Sequence, residues 1–279
     1  MKSNFHNAKI HKSKHSVIFI LIKYKMNLLL TYIWSFWCYL ILTIIFIICA
    51  PIGIFISFFS SNLFSIYTFY LSKLVLLLIG VRVKVHGNFP ISHKNPFIYI
   101  ANHSSYLDPV LNCFLINKKY KYLAKSEVLD WPFFGPVVKK HLIAVKREKK
   151  ESRSNSMSSM KENILNGYSI VIYPEGGWKD ENSNHPYDIK PNELLNQFRN
   201  GAFRLAINTN TDIIPVSMCN AKNIHSSDTM LFKPGKVILC IHKPIKSQNF
   251  LNDENGIKDL NNKCYSLIYK DLLKYENRK

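Results

Sequence analysis

Between Lys25 and Lys73 the chain carries no Asp, Glu, Lys, Arg or His. The densest part, Leu28 to Phe59, is almost wholly Leu, Ile, Phe, Trp, Tyr and small residues. A helix needs about 20 apolar residues to cross the hydrocarbon of a bilayer, so this run holds one generous span or a short hairpin. Pro51 and Gly53 are the expected places for a kink or a turn. A buried core helix of this length is improbable in a chain of 279 residues, and the apolar region of a cleavable signal peptide is shorter. Residues 26–79 are therefore expected to form a membrane-embedded helical segment. Lys2, Lys9, Lys12, Lys14, Lys23 and Lys25 precede it. They make residues 1–25 a basic N-terminal region, which the positive-inside tendency keeps in the cytosol. Residence in the endoplasmic reticulum or another endomembrane is the default, and an organelle envelope is the alternative.

The formal charge is +19, and no Asp or Glu occurs before Asp108. Such an excess suits nucleic acid, an anionic membrane surface or a phosphorylated substrate. The apolar N-terminus and the lack of any nucleic-acid-binding module argue against the first. The six cysteines (Cys38, Cys49, Cys113, Cys219, Cys240 and Cys264) are scattered without a C-x-x-C pair. They read as reduced thiols, with neither metal-ligand spacing nor a disulfide framework. No metal or other cofactor is expected, and no pattern bears on oligomeric state.

After Gly80 the texture changes. Val81, Val83 and Val85 alternate with Arg82, Lys84 and His86, the period of a half-buried strand. Further strands are expected at 97–101, 142–145, 169–173, 213–217 and 236–241, with helices near 107–116, 154–165, 201–209 and 257–275. Strands separated by helix-length segments predict an α/β domain over 80–279, with a largely parallel central sheet flanked by helices. The polar stretch 179–196, with Pro186 and Pro191, reads as a long surface loop.

Three short stretches carry chemistry. Asn102-His103-Ser104-Ser105-Tyr106-Leu107-Asp108-Pro109 follows the apolar run 97–101. An imidazole there can take a proton from an attacking hydroxyl, while the carboxylate accepts from the other ring nitrogen and fixes the tautomer. Taken alone, the heptad is better read as a turn, because Asp before Pro commonly opens one. Tyr173-Pro174-Glu175-Gly176-Gly177 ends another strand, and its glycines let backbone N–H groups approach an anion. Glu175 there is cast as the holder of a cation or of an acceptor hydroxyl. Val145-Lys146-Arg147 ends a third strand, where an arginine fork can bind phosphate oxygens. Alone, it is better read as part of a solvated basic cluster with Lys149 and Lys150.

In this order the stretches resemble the glycerolipid acyltransferase family that includes 1-acylglycerol-3-phosphate acyltransferases. Asn102, His103 and Asp108 match its N-H-x-x-x-x-D block. His141 to Arg147 aligns with G-x-I-F-I-x-R, and Tyr173 to Trp178 with F-P-E-G-T-R. Ile214-Pro215-Val216 is similar to its V-P-V strand, and Phe198 to Ala206 to its F-K-x-G-A-F-x-L-A segment. The likeness covers roughly residues 80–245. This chain departs from it at His141, where glycine is favoured, and at Gly177 and Trp178, where Thr and Arg stand. The missing arginine leaves Lys179, Arg199 or Arg204 to supply the charge, none of them in register.

The resemblance implies a direct transfer without an acyl-enzyme. His103, oriented by Asp108, would deprotonate the hydroxyl of lysophosphatidate, which attacks the thioester of acyl-CoA or acyl-carrier protein. Backbone N–H groups of the 103–105 turn would stabilise the oxyanion. Asn102, Arg147, Glu175, Gly176, Gly177 and Lys179 would line the substrate site. The implied partners are membrane lipid, a lysophospholipid and an acyl-thioester donor. Glycerol 3-phosphate or another lysophospholipid is the alternative acceptor, and a non-catalytic lipid-binding scaffold the alternative of another class. Ser104 and Ser105 lack the G-x-S-x-G elbow of a serine nucleophile.

Overall fold

Ser60 divides the long apolar run into two helices. The computed structural model describes residues 2–87, 95–130, 135, 138–146, 149–176, 194–226 and 228–276. In it, α1 runs over Lys2–Phe59 and α2 over Ser61–Leu78. Ser60 is extended, with φ −158°, and its hydroxyl accepts from the Leu63 N–H at 3.3 Å, a standard N-cap. The turn is thus not at Pro51 or Gly53: α1 passes straight through both. Its turns near the proline are supported from outside. Tyr67 Oη of α2 donates to the Cys49 carbonyl at 2.7 Å, and a Cβ on Gly53 would stand 3.1 Å from the Tyr67 ring. A small residue at the crossing therefore lets α2 fold back closely on α1 as a hairpin. α1 also continues unbroken across the expected boundary between residues 25 and 26, whereas α2 stops at the one near 79.

Two stretches, Tyr24–Phe59 and Ser61–Leu78, are long and apolar enough to cross a membrane, with mean hydropathy of 2.8 and 1.3. Phe36, Ile47, Phe55, Phe58, Phe59, Tyr70 and Leu77 lie on their exposed faces. Contiguous apolar surface of this extent marks a membrane or partner contact. The opposite face of α1 docks on the domain. Ser35 Oγ accepts from the Phe232 N–H at 2.8 Å, and Tyr39 Oη donates to the Met230 carbonyl at 2.7 Å. Cys38 between them is fully buried.

The domain is built on seven strands: β1 (Val81–His86), β2 (Ile98–Ala101), β3 (Tyr120–Lys125), β4 (Leu142–Val145), β5 (Ser169–Ile172), β6 (Ile213–Cys219) and β7 (Gly235–Ile241). They lie in the order β1-β7-β6-β2-β5-β3-β4. All pairs are parallel except β6 with β7. Among the described residues the domain's further helices include α3 (Asp108–Leu115), α4 (Lys150–Leu165), α5 (Gly201–Thr209), α6 (Ala221–Ile224) and α7 (Glu254–Tyr275). The central strands are covered on both faces, as parallel sheets require. Tyr99, Ala101, Val171, Ile214, Val216 and Leu239 point to the layer that holds α2, α3 and the docked part of α1. Ile98, Ile100, Ile170, Ile172 and Ile213 point to α4, α5 and α7. The largely parallel α/β architecture expected from the sequence is the one found. β3 was not anticipated. Its sequence, Tyr-Lys-Tyr-Leu-Ala-Lys, is only half-buried and lacks the apolar run that marks the central strands.

His141 packs against the hairpin. Its ring stacks on Phe64 of α2, with centroids 3.7 Å apart and 8° between planes. The neighbouring Lys140 Nζ donates to the Ser57 carbonyl at 2.8 Å. Together they tie the approach to β4 to the corner of the hairpin. Burial, aided by Lys121 and Lys140, pushes the His141 imidazole down to about 4 from its ordinary 6.5. The unfolded chain takes up this proton near 6.5, the folded chain only near 4. Stability from this site is thus present above pH 6.5 and is lost as pH falls across that window, by about 3 kcal/mol in all. His141→Phe keeps the stack and removes the proton. Denaturation midpoints measured between pH 4 and 7 are expected to fall less steeply in this variant than in the wild type.

Candidate active site

β2 and β5 are neighbours, and their carboxyl ends lead the chain in opposite directions. β2 continues through α3 to β3, on the far side of β5, and β5 continues through α5 to β6, on the far side of β2. Divergence of this kind opens a crevice at the carboxyl edge of a sheet. His103 and Asp108 follow β2 at this edge, and Glu175 and Gly176 follow β5.

Asp108 is the first residue of α3 and is fully buried. Its Oδ2 accepts from the Ser104 N–H at 2.7 Å, the Ser105 N–H at 2.9 Å and His103 Nδ1 at 2.7 Å. One oxygen therefore closes the turn and holds the imidazole, so both readings of the heptad describe the same arrangement. A carboxylate oxygen only accepts, so Nδ1 carries the ring proton and the lone pair sits on Nε2. The His103 side chain retains 19% exposure against none for Asp108. This is the geometry of a base whose tautomer is fixed from behind.

Tyr173 forms the floor beneath the His103 imidazole. The two rings stack with centroids 4.1 Å apart at 16°. Tyr173 Oη accepts from Asn112 Nδ2 at 2.5 Å, which anchors the ring to α3. Burial, and then the charge of Asp108, push its phenol well above the ordinary range, so it stays neutral. A neutral aromatic face attracts positive charge by roughly 0.5–2 kcal/mol, and an imidazole gains that charge when it takes a proton.

Glu175 ties the two sides of the crevice together. Its Oε1 accepts from the His103 N–H at 2.7 Å, and its Oε2 from Asn196 Nδ2 at 2.7 Å and the Asn196 N–H at 3.2 Å. Burial pushes this carboxyl up, and the donors from His103 and Asn196 oppose the shift.

Residues 82–219 match the family model described as Acyltransferase. The domain they form belongs to that family. Over 182 residues the chain is 29% identical to 1-acyl-sn-glycerol-3-phosphate acyltransferase of Saccharomyces cerevisiae, covering 64% of this chain and 57% of that one. It is 25% identical over 185 residues to the chloroplastic 1-acyl-sn-glycerol-3-phosphate acyltransferase LPAT1 of Arabidopsis thaliana, covering 65% and 45%. A lyso-ornithine lipid O-acyltransferase of Rhizobium meliloti is 30% identical over 119 residues, covering 42% and 39%. The chain spans about half the length of the curated relatives it matches. The crystal structure of the 1-acyl-sn-glycerophosphate acyltransferase PlsC from Thermotoga maritima shares the fold. Its TM-score is 0.72 at 20% identity, with 90% of this chain and 99% of that one covered.

Within the acyltransferase domain, three groups expected at the substrate site are engaged by the protein itself. Asn102 bonds within the sheet. It is buried, its Nδ2 donates to the Met218 carbonyl at 3.0 Å, and its Oδ1 accepts from the Met218 N–H at 2.8 Å. It pins the end of β2 to β6. The N–H groups of the 103–105 turn are not arranged as an oxyanion hole, because residue 103 donates to Glu175 and residues 104 and 105 donate to Asp108. Glu175, finally, expected to hold a cation or an acceptor hydroxyl, takes protein N–H donors on both of its oxygens, as a buried carboxylate requires. Ser105 Oγ, fully buried, donates to the His225 carbonyl at 2.7 Å. Arg147, Gly177 and Lys179 lie outside the described residues. The strand before Arg147, β4, is the sheet's edge, separated from β2 by β5 and β3. Asn196 and the stacking role of Tyr173 carried no signal in the sequence.

Proposed function

We propose that this chain transfers a fatty acyl group from an acyl thioester, either acyl-CoA or acyl-carrier protein, to the free hydroxyl of lysophosphatidate, yielding phosphatidate. The observation that carries the proposal is the buried Asp108 carboxylate bonded to His103 Nδ1 at 2.7 Å, at the carboxyl edge of an acyltransferase-family sheet. Nε2 of His103 takes the hydroxyl proton as the oxygen attacks the thioester carbonyl. The tetrahedral adduct collapses, the C–S bond breaks, and the imidazolium returns its proton to the leaving thiolate. Asp108 and the face of Tyr173 stabilise the charge held meanwhile on the ring. The acceptor phosphate is assigned to Arg147 and to the backbone of the Glu175–Gly176 turn, with Gly177 and Lys179 following it in sequence. The chemistry uses two substrates and no resident cofactor.

The same proposal assigns residues 26–79 to the membrane and 80–279 to catalysis, with residues 1–25 as a basic cytosolic lead. Both substrates are membrane lipids or bear acyl chains. A hairpin with exposed apolar faces docked beside the crevice suits lateral entry from the bilayer of an endomembrane or organelle envelope.

A different acceptor headgroup is the second reading, favoured by Trp178 in place of the expected arginine and by the relative named for a lyso-ornithine lipid. Membranes containing the protein should be offered lysophosphatidate, glycerol 3-phosphate and a headgroup-substituted lysolipid in parallel, with labelled acyl donor. Label is expected in phosphatidate; label only in another product selects the second reading, and no label with any acceptor selects the scaffold. In the same assay Arg147→Ala is expected to raise the apparent KM for lysophosphatidate about tenfold or more, the weight of a charged hydrogen bond, with little change for the donor. Equal effects on both substrates would remove Arg147 from the phosphate site.

A further inference from the structure

The connection from β6 to β7 stands between helix α1 and the turn that carries His103 and Asp108. Its two arms meet where His225 and Phe232 pair as an antiparallel bridge. α1 grips this connection through Ser35 Oγ, which accepts from the Phe232 N–H, and Tyr39 Oη, which donates to the Met230 carbonyl. The Tyr39 ring also packs edge-on against Phe232, with centroids 5.1 Å apart at 78°.

His225 reaches to both sides. Its side chain faces α1, with Nε2 3.2 Å from Tyr39 Oη. The single hydroxyl proton of Tyr39 goes to Met230, because a carbonyl only accepts, so Nε2 carries the ring proton and donates it to Tyr39 Oη. The lone pair then sits on Nδ1, which is buried without a partner among the described residues. A buried acceptor left unsatisfied is destabilising. Packing against the rings of Tyr39, Tyr106 and Phe232 would be served by phenylalanine without that cost. The backbone of His225 faces the other way, its carbonyl accepting from Ser105 Oγ at 2.7 Å. Ser105 Oγ accepts in turn from the Leu107 N–H at 3.2 Å. The Ser105 N–H donates to the same Asp108 oxygen that holds His103 Nδ1. A continuous path thus runs from α1 to the imidazole, through Tyr39, His225, Ser105 and Asp108.

We propose that His225 is a positioning residue that couples the seating of α1 to the alignment of the His103–Asp108 pair, so that acyl transfer runs at full rate only with α1 docked. The inference rests on the acyl-transfer reading and adds to it what governs the rate. The imidazole supplies the donor that joins α1 to the path, and the carbonyl of the same residue fixes the turn. Energetic coupling of this kind is carried by packed and hydrogen-bonded neighbours and is measured by combining variants.

The test uses the full chain in membranes, with lysophosphatidate and labelled acyl-CoA. His225→Phe keeps an aromatic ring and removes both nitrogens. It is expected to lower kcat about tenfold, less than the hundredfold that a full 1 Å displacement of a catalytic group can cost. Both KM values should be nearly unchanged, and the thermal midpoint unchanged or higher, whereas a merely structural role would show first as a lower midpoint. His225→Gln, whose amide N–H can reach Tyr39 Oη, should recover much of the turnover. Tyr39→Phe should lower kcat to a similar extent, and joining it to His225→Phe should add little, because both sever one path. Unchanged kcat in the two single variants, a loss that tracks the midpoint, or losses that multiply in the double variant would overturn the coupling while leaving the proposed reaction intact. Wild-type protein that labels no acceptor would remove the reaction and the coupling together.

Discussion

His103→Ala is expected to lower the turnover of acyl transfer by at least about a hundredfold and up to about ten-thousandfold, the usual weight of a positioned general base. Membrane association and the thermal midpoint should change little, because the His103 side chain is partly exposed and Asp108 Oδ2 keeps its two backbone donors. Asp108→Ala should reduce turnover comparably and should also destabilise the protein. It removes the acceptor for one buried and one partly buried N–H group, a buried group left unsatisfied costing about 1–3 kcal/mol. The contrast separates the roles: His103 contributes chemistry, and Asp108 contributes chemistry and the turn. Initial rates at saturating substrate, paired with denaturation midpoints, measure both. Near-normal turnover in purified His103→Ala would show that the base lies elsewhere.

Glu175→Ala is expected to reduce stability by about 2–4 kcal/mol and turnover by tenfold or more. The stability loss follows from three donors, the His103 N–H and the two groups of Asn196, losing the Glu175 carboxylate as acceptor in a buried site. The activity loss follows because the His103 backbone is no longer fixed from the β5 side, and displacements of about 1 Å in a catalytic group can cost a hundredfold. Glu175→Gln keeps an acceptor oxygen, so it should fall between the wild type and the alanine variant in both measurements. An alanine variant with unchanged stability and turnover would show that Glu175 does not position His103.

These expectations depend on contacts that were unequally visible before the fold was known. His103 and Asp108 were legible because they are close in sequence, and a turn after a strand brings such residues together whatever the remainder of the chain does. Arg147 and Gly176 were singled out by the same kind of local pattern. The protein partners of Asn102 and Glu175 were hidden for the opposite reason. Each is bonded to a residue from a distant strand or loop, Met218 in one case and Asn196 in the other. No spacing in the chain announces those partners. The hairpin turn moved from Pro51 to Ser60 because helix propensity is a weak local signal, and packing of Gly53 against the Tyr67 ring outweighed it.

Taken by itself, the sequence determined the membrane-compatible apolar run and the alternation of strand and helix, and its resemblance to a known family drew attention to the His103–Asp108 pair. The first two follow from composition and periodicity, and the third from five short blocks in collinear order. Only the tertiary structure decided that α1 docks through Ser35 and Tyr39, that His141 packs on Phe64, and that Arg199 lies against Gly176. Those pairings join segments far apart in the chain. Their physical cause is the order in which parallel strands assemble, β2 between β5 and β6, which fixes the loops that meet at the carboxyl edge.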